Sequence, residues 1–307
     1  MSDHPEDNST QVEQTAAKDL RAGRDLNIGN ITQIGTLVQQ FLHKSEQQEL
    51  KAQDRRNLLN RVKNDVKWLL KQSLYESKRI DLIKYTLPQQ VDSLMAKQIK
   101  RSLRKSERLS PETKIIDVFN EQALGKLLIL GSPGGGKTIA LLELAEQLVT
   151  DAENVPEQPI PVLLNLATWK AYKQTIDAWI VTELKSKYGV RTDIAQQWIK
   201  QRQLLPLLDE LDRLNAEHQE ACIKAINDWL QKDNQPKALV VCSRLQEYRS
   251  SNVRLKLEGA VCLGRLTKSQ IREYLEESIA RQVDFAYGGT TACSSVARHT
   301  ARYDTAY

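Results

Sequence analysis

A glycine-rich stretch that ends in a lysine and a threonine has the residue types and spacing that point most directly to chemistry. It consists of Gly131, Ser132, Pro133, Gly134, Gly135, Gly136, Lys137 and Thr138, and it fits the pattern GxxxxGK[ST]. Glycines let the backbone wrap around phosphate oxygens so that N–H groups point inward. The lysine supplies a mobile positive charge, and the threonine supplies a hydroxyl to Mg²⁺. The stretch therefore predicts a loop that binds nucleotide phosphates.

A second group of candidate residues follows the apolar run LLPLL at residues 204–208. Asp209 ends this predicted strand and is the expected partner of Mg²⁺, through water. Glu210 and Asp212 begin the loop beyond it, and both are placed to polarise an attacking water. The sequence leaves open which of these two carboxylates does so.

A third apolar run, ALVVC at residues 238–242, ends in Ser243 and Arg244. An arginine at the end of a buried strand can contact the terminal phosphate of a nucleotide and report whether it is present. The competing interpretation is an exposed surface arginine that follows a strand.

The elements that position these residues alternate between strands and helices after Pro111. Strands are predicted at Lys126–Leu130, Pro161–Leu166, Leu204–Asp209, Ala238–Ser243 and Ala260–Leu263, and helices at Lys137–Ala152, Thr175–Tyr188, Asp193–Gln201 and Ala216–Leu230. Short strands that are apolar on both faces predict an α/β fold in which helices flank a parallel sheet. Pro206 is unusual in such a strand, since proline has no N–H to donate to the backbone hydrogen bonds of a central strand.

The remaining sequence divides by composition into four further segments. Residues 1–50 are polar and predicted to be flexible, with a short β-arc at Arg24–Ile34. Residues 51–110 form a basic segment predicted to be helical, with breaks near Pro88 and at Pro111, and the nucleotide-binding domain follows at 111–265. A capping box at Thr267–Gln270 predicts a helix within 266–281. Residues 282–307 lack any periodicity and are predicted to be a disordered or aberrant tail.

The charge of the chain is concentrated in the basic segment, where 16 Lys and Arg stand against 6 Asp and Glu between residues 51 and 110. Such a balance raises nucleic acid as a partner. The favoured interpretation is a solvated helical face, because Leu58, Leu59, Val62 and Val66 recur at helical spacing and no nucleic-acid motif is present.

Composition also indicates the cellular compartment of the protein. The four cysteines are too few and too widely spaced for a disulfide scaffold or a zinc site. The acidic N-terminus lacks the apolar core of a secretory signal, and no apolar stretch reaches the length of a membrane span. We expect a cytoplasmic protein without a membrane partner.

Taken together, these motifs resemble the NACHT domain of bacterial signalling NTPases, which belong to the STAND class. The resemblance extends from Asp54 to Leu275. The stretches that carry it are RRNLLNRV at 55–62, Trp68, LLILG at 127–131, PVLLNLATW at 161–169, LPLLD at 205–209, Ser243-Arg244 and Glu247-Tyr248.

This resemblance implies an ATP/ADP switch rather than a turnover enzyme, with slow hydrolysis at most and self-association on ATP binding. It also implies that the strand of Arg244 lies between the loop strand and the Asp209 strand, with Arg244 as the γ-phosphate sensor. The sequence departs from the family pattern at Glu210, Asp212 and Arg213, where a small residue and then an Asp-Glu pair are usual. The family's winged-helix region is not found, so we expect a C-terminally truncated, incomplete switch.

The sequence leaves two other functions open. One is a basic P-loop ATPase that acts on nucleic acid, and the other is a scaffold whose bound nucleotide is not turned over. No LSGGQ-like string points to a transporter ATPase, and no [NT]KxD string points to guanine specificity.

Overall fold

The computed structural model describes residues 28–73, 82–93, 106–110, 112–170, 174–265, 270 and 272. The chain divides into two compact units, Met1–Arg55 and Arg56–Tyr307. In the first unit the described residues belong to a helix, α1, which spans Ile28–Gln72 and ends in the second unit. The second unit contains the remaining elements.

The start of α1 corrects the predicted β-arc at Arg24–Ile34. Residues 28–34 are helical, and residues 24–27 lie outside the described part of the chain. The physical reason is in the spacing: Ile28, Ile31 and Ile34 recur every three residues, and Leu37, Val38 and Phe41 continue the pattern. Spacing of three and four residues is that of a helix and not of a strand.

A six-stranded sheet forms the centre of the second unit. Its strands are β1 (Lys84–Thr86), β2 (Lys126–Gly131), β3 (Ile160–Asn165), β4 (Leu204–Asp209), β5 (Leu239–Arg244) and β6 (Gly259–Leu263). Their spatial order is β1-β6-β2-β5-β4-β3. All neighbouring pairs are parallel except β1 and β6, which are antiparallel.

Helices connect the strands. They are α2 (Lys137–Asn154), α3 (Ile176–Tyr188), α4 (Thr192–Lys200), α5 (Ala216–Trp229) and α6 (Leu245–Ser250). Shorter helical turns lie at Pro88–Gln90, Ile115–Asp117, Val118–Gln122, Leu166–Thr168 and Leu211–Arg213. No described helix combines the length and the apolar composition that a bilayer span requires.

The α/β fold predicted from the alternating pattern is confirmed, and the predicted strands and helices agree with the observed ones within about two residues. The position of β5 between β2 and β4 is confirmed as well. Pro206 is accommodated because it pairs with Val162 of β3, whereas the registered pairing with β5 begins only at Leu207.

The prediction that the basic segment is helical up to a break near Pro88 is right up to Gln72 and wrong at Lys84–Thr86, where β1 forms. These three residues pair with Val261–Leu263 at the edge of β6. The pairing joins residues more than 170 positions apart in sequence, so a local pattern does not reveal it.

Several predictions fall on residues that the structure does not describe. Gln270 and Arg272 are helical, but the rest of the predicted helix at 266–281 and the tail at 282–307 lie outside the described residues. The predicted domain boundaries stay predictions.

The core lies on both faces of the sheet. The side chains of Leu127, Leu128, Ile129 and Leu130 in β2 are fully buried. Trp169 and Trp179 are buried in the same core. Burial of such apolar surface is the main favourable term in folding.

The second half of α1 packs on this core through Leu58, Leu59, Val62 and Val66, which are all buried. A polar network accompanies this contact. Tyr188 Oη lies 3.1 Å from both Asp65 Oδ2 and the carbonyl oxygen of Leu163. Lys187 Nζ pairs with the same Asp65 carboxylate at 2.8 Å and donates to the same Leu163 carbonyl at 2.9 Å.

Burial raises the pKa of the Tyr188 phenol well above its usual range, and the neighbouring Asp65 carboxylate raises it further. The phenol therefore stays protonated and acts as a donor. The Arg61 guanidinium also donates to the backbone carbonyl of Tyr188. The network thus attaches α1 to α3 and to β3.

We expect Tyr188→Phe to lower the free energy of unfolding by about 1 to 2 kcal/mol, because it removes a buried donor next to a carboxylate. Urea denaturation measures this change. Tyr85→Phe is the matched control, since Tyr85 is 37% exposed at the sheet edge. Equal midpoints for the two variants would contradict the role of the network.

Candidate functional site

The carboxyl ends of the parallel strands bring the predicted site residues to one edge of the sheet. In the register of the sheet, Gly131 at the end of β2 lies beside Arg244 of β5. Asp209 at the end of β4 lies beside Asn165 of β3. Loops that leave this edge are where ligands bind in open α/β sheets.

The glycine-rich loop connects β2 to α2. Gly134 and Gly136 have φ values of +66° and +78°, in the left-handed region that side chains rarely adopt. A Cβ on Gly135 would come within 3.0 Å of the Ser132 carbonyl oxygen, which accepts the Gly135 N–H. Glycine is thus needed for the turn and for its close backbone approach.

Helix α2 begins directly after this loop, at Lys137. Its N-cap residue is Gly136, which has no side chain to accept the first free N–H groups of the helix. These donors and the positive end of the helix dipole favour an anion at this point. The loop and the helix therefore have the form of a phosphate cradle.

Lys137 and Thr138 connect the loop to its surroundings. Lys137 Nζ donates to the Ser132 carbonyl at 3.0 Å, across the loop. Thr138 Oγ1 donates to Asp209 Oδ2 at 2.9 Å. The structure thus brings together the two motifs that the sequence predicts to share a Mg²⁺ ion.

Asp209 combines partial burial with several polar contacts. Burial raises the pKa of its carboxyl group, and the nearby Glu210 and Asp212 charges act in the same direction. Hydrogen bonds from Thr138 and from the Glu210 N–H, which Asp209 Oδ1 accepts at 2.8 Å, oppose this rise. A bound cation beside Asp209 would stabilise its ionised form.

The donor set fits Mg²⁺. A threonine hydroxyl and a carboxylate are the hard oxygen ligands that this ion takes, and it retains several waters. Within the part of the chain that the structure describes, no cluster of three or more His, Cys, Asp and Glu side chains is placed to hold a metal. A metal at Thr138 and Asp209 would therefore depend on phosphate oxygens and water for its other ligands.

The two remaining acidic candidates have different surroundings. Glu210 has a positive φ of 65°, accepts a hydrogen bond from Asn165 Nδ2 through Oε2, and pairs with Arg213 at 3.1 Å through Oε1. Asp212 has a side chain only 8% exposed, pairs with Arg244 Nε at 2.9 Å through Oδ2, and accepts the Arg244 N–H at 3.0 Å through Oδ1.

Arg244 lies at the predicted end of β5 with 41% of its side chain exposed. Besides Asp212, its guanidinium contacts Glu247 Oε1 at 3.4 Å. The structure thus places Arg244 at the site edge, where carboxylates hold it.

Two further residues at this edge were not predicted as site residues. Asn165 contacts Glu210, and Arg265 Nε donates to Ser132 Oγ in the loop at 3.4 Å. Asn165 ends a buried strand as Asp209 does, and this shared position is a signal that the sequence offers. For Arg265 no local signal distinguishes it from other exposed arginines.

A cavity of about 470 Å³ lies along α2, and no residue of the loop Gly131–Thr138 lines it. Its lining includes Leu82 and Leu263. A Cβ on Gly136 would come within 2.8 Å of the Leu82 side chain, and a Cβ on Gly131 would come within 3.5 Å of the Leu263 side chain, so these two lining residues lie against the loop. Glu143 of α2 also lines the cavity. Burial raises the pKa of the Glu143 carboxyl group to about 6, with a smaller contribution from the Glu146 charge. Its lining comes from distant segments, so the sequence alone did not predict it.

The comparison with protein families agrees with this geometry. The NACHT domain family matches residues 126–282. The comparison with curated protein sequences finds no match.

Among solved structures, this chain is similar to the ORC1 protein of Aeropyrum pernix in complex with DNA, at 18% identity and a TM-score of 0.35 over 54% of this chain and 47% of that one. It is also similar to the ORC2 protein of Aeropyrum pernix in ADPNP–ADP complexes, at 15% identity and a TM-score of 0.30 over 54% and 49%. This chain thus spans about half the length of each, and at these TM-scores the two likenesses carry no further argument.

The fold and the site define a nucleotide-binding P-loop NTPase. More particularly, the chain belongs to the NACHT domain family.

We expect Lys137→Ala to weaken ATP binding by at least about tenfold, because it removes the mobile charge from the loop without removing a core contact. Titration with a fluorescent ATP analogue measures the affinity. Lys185→Ala, at an exposed position of α3, controls for the loss of any lysine. Equal binding by wild type and Lys137→Ala would contradict the assignment.

We expect Asp209→Asn to remove most of the Mg²⁺ dependence of ATP binding while leaving binding in EDTA unchanged. Asparagine can still accept the Thr138 hydrogen bond, but it lacks the negative charge that a divalent cation requires. Calorimetric titration with and without Mg²⁺ separates the two effects, with Asp228→Asn on the exposed side of α5 as control. Normal Mg²⁺-ATP binding by Asp209→Asn would show that the metal assignment is wrong.

Proposed function

We propose that this chain is a signalling nucleotide switch of the STAND class that binds ATP and ADP with Mg²⁺ and hydrolyses ATP slowly at most. The observation that carries the proposal is the hydrogen bond from Thr138 to Asp209, because it joins the phosphate loop to the acidic strand end in three dimensions. Membership of the NACHT family supports the same function.

In this proposal each residue at the sheet edge has a separate task. The backbone N–H groups of Gly134, Gly135 and Gly136 hold phosphate oxygens, with Lys137 as the neighbouring cation. Thr138 and Asp209 hold the metal, which when bound supplies positive charge to the phosphate oxygens.

We assign the positioning of water to Glu210 rather than to Asp212. Both oxygens of Asp212 are engaged by Arg244, so this carboxylate fixes the arginine and the turn at Leu211–Arg213. Glu210 follows Asp209 directly, and its two oxygens contact only the side chains of Asn165 and Arg213, whereas one oxygen of Asp212 accepts a backbone N–H that cannot rotate away. Arg244 is the proposed γ-phosphate sensor, and it would exchange contacts with Glu247 for contacts with phosphate.

The switch itself is proposed to be off with ADP and on with ATP, with self-association in the ATP state. The free thiols of Cys222, Cys242 and Cys262 support a reducing, cytoplasmic location. Nucleic acid is the less favoured partner, and the exposed Arg56, Lys67 and Lys71 of α1 are the residues that would contact it.

The test of this function is the identity of the nucleotide that the purified protein carries and the rate at which it is hydrolysed. We expect the protein to bind added Mg²⁺-ATP and to turn it over slowly. We expect Glu210→Gln to retain ATP binding and to lower the hydrolysis rate by about tenfold or more. Glu217→Gln, at an exposed position near the start of α5, is the matched control.

Absence of any nucleotide binding would contradict the proposal, and rapid turnover would contradict a switch. A gel-shift titration with a DNA duplex of about 200 base pairs at low and high salt tests the alternative, because a protein that contacts phosphates shows a steep salt dependence. Tight, salt-dependent binding would favour an ATPase that acts on nucleic acid.

A further inference from the structure

Ser132, the second residue of the phosphate loop, is contacted by two positively charged side chains. Its carbonyl oxygen accepts a hydrogen bond from Lys137 Nζ at 3.0 Å. Its hydroxyl oxygen accepts one from Arg265 Nε at 3.4 Å. The first contact lies within the loop, whereas the second joins residues 133 positions apart in sequence. Arg265 therefore reaches the loop only because the chain folds back to it.

Strand β6 brings Arg265 to the loop. In the register of the sheet, Leu263 at the end of β6 lies beside Gly131, the first residue of the loop. A Cβ on Gly131 would come within 3.5 Å of the Leu263 carbonyl oxygen, so the two strand ends are close together. Arg265 follows two residues after Leu263, at the same edge of the sheet as the loop.

Gly264 holds the backbone from the other side. Its N–H donates to the Ile83 carbonyl oxygen at 2.6 Å. A Cβ on Gly264 would come within 3.1 Å of the Ile83 Cβ and 3.2 Å of that carbonyl oxygen, which is closer than an ordinary contact. The backbone that carries Arg265 is therefore anchored between the loop strand and the segment before β1.

The two cations at Ser132 differ from Arg244 in their charge balance. Arg244 pairs with Asp212 at 2.9 Å and with Glu247 at 3.4 Å. Among the residues that the structure describes, no ion pair includes Lys137 or Arg265. Two like charges that contact one residue repel each other, and a bound anion offsets this repulsion. The arrangement around Ser132 therefore favours an anion.

We propose that Arg265 is a phosphate-binding residue that contacts the phosphates which ADP and ATP share. This inference rests on the proposed function. The N–H groups of a glycine-rich loop cradle these phosphates, and Arg265 contacts the loop itself. A guanidinium carries several N–H donors in one plane and forms strong, charge-assisted hydrogen bonds to phosphate oxygens. Arg244, which carboxylates hold at the end of β5, keeps the separate task of sensing the γ-phosphate.

The decisive variant is Arg265→Gln, which keeps a side-chain donor for Ser132 but removes the charge. We expect the Kd for ADP and the Kd for ATP to rise by the same factor, at least about fivefold, in calorimetric titrations. Arg244→Gln, in contrast, should weaken the binding of ATP only. Unchanged affinities in Arg265→Gln would overturn the proposal, and so would a loss confined to ATP.

Arg265→Lys separates the charge from the shape of the side chain. Lysine keeps the positive charge but not the planar group of donors. This variant should bind ADP at least about threefold more tightly than Arg265→Gln does. If both variants weaken ADP binding to the same extent, the charge of Arg265 does not act on phosphate and the proposal is overturned.

The salt dependence of ADP binding gives an independent measure of the same charge. Exposed charges are screened by salt, so the affinity of wild type should fall more steeply with rising KCl than the affinity of Arg265→Gln. Equal slopes would contradict a contact between Arg265 and phosphate.

Arg272→Gln is the matched control, because Arg272 is an exposed arginine seven positions further along the chain. This change should leave the affinities for ADP and ATP and their salt dependence at the wild-type values. If Arg272→Gln weakens binding as much as Arg265→Gln, the effect comes from the overall charge of the protein, and the assignment of Arg265 is overturned.

The outcomes separate this inference from the function on which it rests. If wild type binds ADP and ATP and Arg265→Gln binds them equally well, the role of Arg265 is overturned while the nucleotide switch stands. If wild type binds neither nucleotide, the proposed function fails and the role of Arg265 fails with it.

Discussion

The architecture of the site depends on one hydrogen bond, from Thr138 to Asp209, which joins residues 71 positions apart. It requires that β2 and β4 run parallel, lie on either side of β5 and end at the same edge of the sheet. A hydroxyl and a carboxylate at this distance are a preformed pair of oxygen ligands for a hard cation. The phosphate loop alone would lack the acidic half of that pair.

Charge balance explains the arrangement around this pair. Asp209, Glu210 and Asp212 lie within four residues and raise one another's free energy when ionised. The protein compensates two of them internally, since Arg213 and Asn165 hold Glu210 and Arg244 holds Asp212. Within the described residues, Asp209 is the one of the three without a basic partner, since its hydrogen bonds come from a hydroxyl and a backbone N–H. The site therefore directs its uncompensated negative charge to the position beside Thr138.

Strand β3 connects this edge to the rest of the second unit. Its Leu163 carbonyl accepts hydrogen bonds from Tyr188 and Lys187, which also contact Asp65 of α1. Two residues further along the same strand, Asn165 contacts Glu210. A rigid strand thus carries both the attachment of α1 and the support of the acidic loop, so the position of that loop depends on packing far from the phosphates.

The sequence by itself determined the phosphate loop, the strand that ends in Asp209 and the alternation of strands and helices, because these are local patterns of residue type and period. It did not reveal β1, since three residues acquire strand structure only by pairing with β6. Nor did it distinguish Glu210 from Asp212, because two carboxylates in one loop look alike until their partners are placed. Those partners, Asn165 and Arg244, come from other strands. Their contacts are long-range, so only the tertiary structure shows that Asn165 contacts Glu210 and that Arg244 holds Asp212.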